Sequence, residues 1–124
     1  MKKVTYKSLL KYTDEIFANC NLDDFSRTSV SQGLVNASLR GVDSHGVRLV
    51  PHYVNSARLG RKNPRPSFKI NNKYQSTLSI DADNAFGLAA GKYAIQNSIK
   101  VAEKTGVCIS SVYNSSHPGA LASI

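Results

Sequence analysis

The segment from residue 86 to residue 105 constrains the fold more than any other part of the chain. Its apolar residues recur at three- and four-residue steps, which predicts a helix whose buried side carries Leu88, Gly91, Ile95, Ile99 and Ala102. Gly106 ends this helix, and the apolar run VCISSVY at 107–113 follows as a strand that we expect to be buried. A long helix that passes directly into a strand predicts a mixed α and β fold.

The first sixty residues carry three helical patterns. We expect a first helix, capped by Thr5, to end near residue 21, and a second helix to span residues 24–40. A third pattern runs from 44 to 59, but Pro51 lacks the backbone N–H that a helix interior needs. The third helix should therefore break near residue 50, after a short capped turn.

The middle of the chain predicts a small sheet. A glycine and two prolines mark residues 60–67 as a loop, and strands are predicted at 68–70 and 77–80. The later strand at 107–113 has no obvious partner except 77–80. We therefore expect the sheet to continue beyond residue 124.

These elements together give the predicted fold class and its division. Residues 1–60 form a helical N-terminal segment, and residues 61–124 form the start of an α/β domain. That second part comprises some strands of a mixed sheet with one packed helix, so the α/β fold is predicted to be incomplete within this chain.

The net charge of +8 is concentrated in one stretch that contains no acidic residue. Such a stretch can hold nucleic-acid phosphates. It lacks interleaved aromatic residues, however, and the chain contains no nucleic-acid-binding motif, so we favour a solvated loop or a surface that faces an acidic partner. The basic residues are Arg58, Arg61, Lys62, Arg65, Lys69 and Lys73.

Composition also limits the compartment in which the chain works. No apolar run reaches the roughly 18 residues of a membrane span. Charged residues interrupt the N-terminal apolar positions, which argues against a signal peptide. Cys20 and Cys108 belong to no CxxC unit, so reduced, partly buried thiols are expected. We predict a cytoplasmic protein without membrane contact.

His45 is the first candidate for chemistry. An imidazole gives and takes a proton near neutral pH, and the neighbouring Ser44 could fix its tautomer or contact a substrate. Gly46 removes bulk beside the ring, and Arg48 offers a planar fork of donors for a carboxylate. A single histidine is more often an ordinary surface or core residue, and only these neighbours favour a catalytic role.

His117 is the second candidate. It follows a predicted strand, where α/β proteins commonly place binding groups, and Gly119 would permit a ligand to approach closely. His-Pro-Gly is also a good turn, and His52 is interpreted as a surface residue. The three histidines lack the spacing of a zinc site, so no metal is predicted.

The chain resembles the malate/L-lactate dehydrogenase family in three stretches that follow in the family's order. They are LRGVDSHGVRLVPHYV at 39–54, DADNAFGLAAGKYAIQNSI at 81–99 and GVCISSVYNSSHPGALA at 106–122. The family comprises NAD(P)-dependent reductases of 2-keto acids and imines that lack a Rossmann fold. The resemblance extends over nearly the whole chain and includes the helical N-terminus.

The resemblance implies a role for each matching residue. His45 would donate the proton to the carbonyl or imine, and Ser44 would belong to its relay. Arg48 would bind the substrate carboxylate, although other members carry that arginine one residue later, where this chain has a leucine. The segment around His117 would border substrate and cofactor. The residues implied to bind NAD or NADP are His117, Gly119, Ala120 and Leu121.

Two departures from the family pattern qualify these implications. Pro118 stands where the family has an aromatic residue, and it removes a backbone N–H that could contact the cofactor. Members of the family are also more than twice as long as these 124 residues. The resemblance therefore implies the N-terminal part of an oxidoreductase, inactive alone, with a homo-oligomer or a missing C-terminal half as its partner. The alternative is a non-enzymatic remnant that serves as an interaction or dimerisation module.

Overall fold

The computed structural model describes residues 3–123 and has the mixed α/β architecture that the sequence predicts. Helices come first, a small sheet follows, and one long helix packs on that sheet. The helices are α1 (Tyr6–Ala18), α2 (Asp24–Leu39), α3 (Val50–Arg58) and α4 (Gly87–Thr105). The strands are β1 (Lys69–Asn71), β2 (Thr77–Asp81) and β3 (Ile109–Tyr113). Short 3₁₀ turns occupy Asp43–His45, Val47–Leu49 and Leu121–Ser123.

The first two helices begin where the sequence supplies side-chain caps. The Thr5 hydroxyl accepts a hydrogen bond from the backbone N–H of Ser8, and the Asp23 carboxylate accepts one from Ser26. Each cap satisfies an N–H that has no partner within the helix. The α1 helix ends at Ala18, about one turn before its predicted end.

The predicted break before Pro51 is confirmed. Two 3₁₀ turns replace the expected N-terminal half of the third helix, and α3 begins at Val50 with Pro51 in its first turn. A proline is tolerated there because its missing N–H would have had no intrahelical partner. The side chains of residues 44–49 consequently do not follow helical spacing.

The sheet has the order β1-β2-β3, and both predicted pairings of β2 are confirmed. The β1 strand pairs antiparallel with β2, whereas β3 pairs parallel with it. The α4 helix connects the two parallel strands. It covers one face of the sheet, where Leu78 and Ile80 pack against Ala94. This crossover brings the ends of β2 and β3 side by side, at the edge from which the loop with His117 departs.

Two predictions of burial are wrong. The β3 strand was expected to be buried, but it is the last strand of this sheet and its Ile109 is 70% exposed. Ile95 and Ile99 of α4 are about half exposed, at 49% and 52%. The N-terminal half of α4 lies between α2 and the sheet, so its buried residues are instead Gly87, Leu88, Ala89, Ala90 and Ala94.

One apolar core joins all four helices. Phe17, Leu34, Tyr53 and Leu88 belong to it, and they come from α1, α2, α3 and α4 respectively. Gly33 permits this packing, since a Cβ at that position would lie 2.6 Å from the Leu88 side chain. The division of the chain at residue 60 stays a prediction.

Two observations bear on the environment in which the chain works. No helix within residues 3–123 combines the length and apolar character that crossing a membrane requires. Cys20 is a buried free thiol, and Cys108 is a partly buried one.

Candidate active site

A cavity of about 350 Å³ opens beside the first 3₁₀ turn. Its walls come from that turn, from α3, from the start of α4 and from the loop after β3. Leu49, Tyr53 and Phe86 give it an apolar part. Pockets of this size suit small organic ligands that a few polar groups hold in place. The polar groups of its lining include Ser44, His45, His52, Lys62, Ser116 and His117.

The two candidate histidines, which are far apart in the sequence, meet in this cavity. The ring centroids of His45 and His117 lie 5.1 Å apart, with an angle of 33° between the ring planes. His45 is partly buried, whereas His117 is exposed. A small molecule in the cavity can therefore contact both imidazoles at once.

Ser44 holds one nitrogen of the His45 ring. Its Oγ lies 2.8 Å from Nδ1 of His45. A hydroxyl can either donate to Nδ1 or accept from it, so the pair accommodates both tautomers of the neutral ring. The second nitrogen, Nε2, takes no part in this bond, which leaves it for a proton exchange with a bound molecule.

Gly46 allows the 3₁₀ turn to pack against α2. A Cβ at this position would overlap the Ser38 hydroxyl and lie 3.1 Å from the Ser38 backbone nitrogen. That hydroxyl accepts a hydrogen bond from the N–H of Val47 at 2.9 Å. The glycine of the Ser-His-Gly motif thus has a packing role that fixes where His45 stands.

Hydrogen bonds within the loop and to α4 hold His117. The Gly119 N–H donates to Nδ1 of His117 at 3.1 Å, so the neutral ring carries its proton on Nε2. The Ser116 hydroxyl accepts from the N–H of Gly87 at 2.9 Å, at the start of α4. A Cβ on Gly119 would lie 2.8 Å from Leu88, and its φ is +77°. Gly119 therefore serves the turn and its packing on Leu88.

A carboxylate at the end of β2 anchors the base of this loop. The Asp81 side chain accepts hydrogen bonds from the N–H of Asp83 at 3.0 Å and from the Asn114 amide at 3.2 Å. These bonds, the backbone one first, hold the pKa of Asp81 below its ordinary value, with Lys69 adding a smaller effect in the same direction. The loop with His117 begins at Asn114 and is thereby tied to β2.

Tyr53 forms the floor of the cavity. Its ring stacks on Phe86, with centroids 5.3 Å apart and planes 16° from parallel. Burial raises the pKa of the Tyr53 phenol above its ordinary value. The hydroxyl therefore stays neutral near neutral pH, and the floor contributes no charge to the site.

The structure does not bring every predicted residue into the cavity. Arg48 is exposed and does not line it. Leu121 is 72% exposed, and Ala120 is partly buried beside it. The roles predicted for Arg48, Gly119, Ala120 and Leu121 stay predictions.

The sequence did not predict two of the residues that line the cavity. His52, interpreted as a surface residue, is exposed but also lines the cavity. Lys62, assigned to a solvated basic stretch, is partly buried in the cavity wall. No spacing rule points to Lys62, because it lies in a loop whose course depends on contacts with distant residues.

Comparisons with known proteins agree on one family. The sequence model described as Malate/L-lactate dehydrogenase matches residues 4–124. The chain is 38% identical to an L-sulfolactate dehydrogenase of Methanocaldococcus jannaschii over 85 residues, which are 68% of this chain and 25% of that protein. It is 28% identical to a ureidoglycolate dehydrogenase (NAD(+)) of Escherichia coli strain K12, over 96% of this chain and 34% of that protein.

A solved structure shares the arrangement of these elements. The malate dehydrogenase of Pyrococcus horikoshii superimposes with a TM-score of 0.91 at 30% sequence identity. The match covers 95% of this chain and 34% of that protein. The chain thus spans between a quarter and about a third of the length of these relatives.

Proposed function

The chain belongs to the malate/L-lactate dehydrogenase family, and from this membership we propose that it forms the N-terminal part of an NAD(P)-dependent oxidoreductase that reduces a 2-keto acid or a related imine. One observation carries the proposal. His45, His117 and Ser44 converge on one cavity of suitable size for such an acid, with Nε2 of His45 outside the Ser44 contact. From the composition of the chain, we also propose that the protein works in the cytoplasm.

In the proposed reaction, His45 acts as the acid. The substrate lies in the cavity with its carbonyl oxygen or imine nitrogen toward Nε2 of His45, which protonates that atom as the adjacent carbon is reduced. The protonated ring carries a proton on each nitrogen, so loss of the Nε2 proton leaves a neutral ring whose Nδ1–H donates to the Ser44 hydroxyl, and water then restores the proton on Nε2. His117 faces the substrate from the other side. The cofactor, when bound, supplies the hydride.

We propose that one end of the nicotinamide cofactor binds beside the loop that carries His117. His117 lines the cavity, and Gly119, Ala120 and Leu121, which follow it in the same loop but lie outside the cavity lining, would border the nicotinamide ring. At the start of α4, the N–H of Gly87 donates to Ser116 and is therefore not available to a cofactor phosphate. Hydride transfer needs the ring held against the substrate carbon in reacting geometry. The described residues would supply only part of that geometry.

We predict that this chain alone shows no turnover with NADH or NADPH and a panel of 2-keto acids. A chimera in which the chain replaces the matching first third of the Pyrococcus horikoshii malate dehydrogenase is expected to interconvert malate and its keto acid. The absorbance of the reduced nicotinamide measures turnover by the chain alone and by the chimera. Turnover by the chain alone, or an inactive chimera that folds and binds the cofactor, would contradict the proposal.

A non-enzymatic interaction or dimerisation module is the second candidate, and the exposed apolar surface favours it. Ile109 on the edge strand and Ile95 and Ile99 on α4 are half exposed or more. Exposed strand edges and apolar patches promote association.

We expect the purified chain to self-associate in sedimentation experiments as its concentration rises. Replacing Ile109 with lysine should weaken this association, because it places a charge on the apolar edge strand. Lys73→Glu, in the exposed turn between β1 and β2, is a control that leaves the apolar edge intact. A cooperatively unfolding monomer at all concentrations would argue against the module.

A further inference from the structure

Lys62 brings a permanent positive charge to the cavity wall. It lines the cavity together with His45 and His117, and its side chain is partly buried. The other basic groups of the lining are histidines, and no carboxylate among residues 3–123 lines the cavity. A concave site with cationic walls and no acid favours an anionic ligand.

Asn84 fixes the position of this lysine. Its Oδ1 accepts a hydrogen bond from Nζ of Lys62 at 2.8 Å, and its Nδ2 donates to the carbonyl of Arg61 at 3.1 Å. The backbone of Asn84 adds two bonds, as its N–H donates to Asn114 and its carbonyl accepts from Asn63. Its left-handed φ of +58° makes this combination possible. The loop with Lys62 is thus fastened to the strand end from which the His117 loop departs.

Asn84, the hydrogen-bond partner of Lys62, does not compensate the positive charge of the lysine. An amide oxygen is neutral and occupies one of the three N–H donors of the ammonium group. No ion pair within the described part of the chain involves Lys62. A carboxylate in the cavity would take a remaining donor and neutralise the charge, which is a stronger interaction than a neutral hydrogen bond.

We infer that Lys62 binds the carboxylate of the substrate in this cavity and that Asn84 is its positioning residue. The inference rests on the proposed function and identifies the residue that binds the carboxylate of its substrate. Arg48, which the sequence pattern favours for the same role, is exposed and does not line the cavity. Substrate recognition thus depends on a lysine from the loop before β1.

The test is a titration of the chain with oxamate, an unreactive isostere of a small 2-keto acid, followed through the imidazole NMR signals of His45 and His117. Lys62→Gln is expected to weaken oxamate binding by about tenfold or more, since a hydrogen bond to a charged group contributes about 1.5–3 kcal/mol. Lys62→Arg should keep the affinity within about threefold. Arg65→Gln, which removes an exposed cation of the same loop that does not line the cavity, is the matched control and should bind like the wild type.

A fourth variant tests the positioning role. Asn84→Gly keeps the left-handed backbone and deletes only the side-chain amide, so it should weaken binding less than Lys62→Gln does. Thermal unfolding of each variant confirms that the chain remains folded.

Three outcomes would overturn the inference. One is equal affinity of Lys62→Gln and wild type, which leaves the proposed function standing because the histidines still respond to oxamate. The second is an equal loss in Arg65→Gln, which would indicate a general charge effect. The third is no response of the wild type. An inactive chimera despite oxamate binding at Lys62 would instead remove the proposed function alone.

Discussion

Replacement of His45 by alanine in the chimeric enzyme is expected to lower kcat by about two to four orders of magnitude, the range typical for loss of a general acid. The affinity for the cofactor should hardly change, because we assign the cofactor to the loop at 117–121 and, in the chimera, to the remainder of the malate dehydrogenase. Steady-state kinetics give kcat, and quenching of protein fluorescence on titration with NADH gives the cofactor affinity.

The control for this variant is His52→Ala. His52 lines the same cavity and is exposed, but it is not part of the pair formed by His45 and His117. We expect its kcat to stay within about threefold of the parent, an energy difference below about 1 kcal/mol. An unchanged kcat in His45→Ala would remove His45 from its proposed role. Equal losses in both variants would indicate damage to the cavity as a whole.

Local features of the sequence were predictable because local physics decides them. Thr5 caps α1, and α3 begins at Val50, with Pro51 in its first turn. Each of these depends on one residue and the few that follow it. The motif around His45 could be singled out for the same reason, since Ser44 and His45 interact as neighbours.

Burial was less predictable, because it depends on which elements meet. The spacing of Ile95 and Ile99 places them on one side of α4, but the buried residues of this helix all lie in its N-terminal half, and its C-terminal half contacts the sheet through Ser98 and Val101 on another side. The apolar composition of β3 is that of a central parallel strand, but within residues 3–123 the strand has one neighbour. A sequence pattern records the surroundings in which a segment is stable, and not which elements pack against it.

The positively charged residue in the cavity shows a further limit of prediction from sequence. The sequence favours Arg48 for its donor fork and its position near His45, yet Arg48 is exposed and does not line the cavity. Lys62 enters the cavity because Asn84, twenty-two residues later, holds its ammonium group. Such a contact follows from the closing of two loops on each other, for which the sequence carries no periodic signal.

Gly87→Ala is expected to destabilise the chain and to separate the two histidines. A Cβ at this position would overlap the backbone carbonyl oxygens of both Ser116 and His117. Neither oxygen can turn aside as the end of a side chain could, so the loop must shift as a unit and lose its bond to the Gly87 N–H. We expect a loss of about 3 kcal/mol, at the upper end for overpacking, in urea unfolding of the chain. In the chimera, kcat should fall by more than tenfold, because His117 no longer faces His45.

Ser116→Ala separates the loss of the hydrogen bond from the steric effect of the added methyl group. It deletes the hydroxyl that accepts from Gly87 without adding an atom to the contact, and it should cost about 1 kcal/mol. The larger loss in Gly87→Ala would then measure the steric requirement at the start of α4. If the two variants unfold alike, the loop yields to the added methyl group, and the hydrogen bond alone holds His117 in place. If Gly87→Ala is destabilised but retains full activity in the chimera, the proximity of His117 to His45 has no part in the reaction.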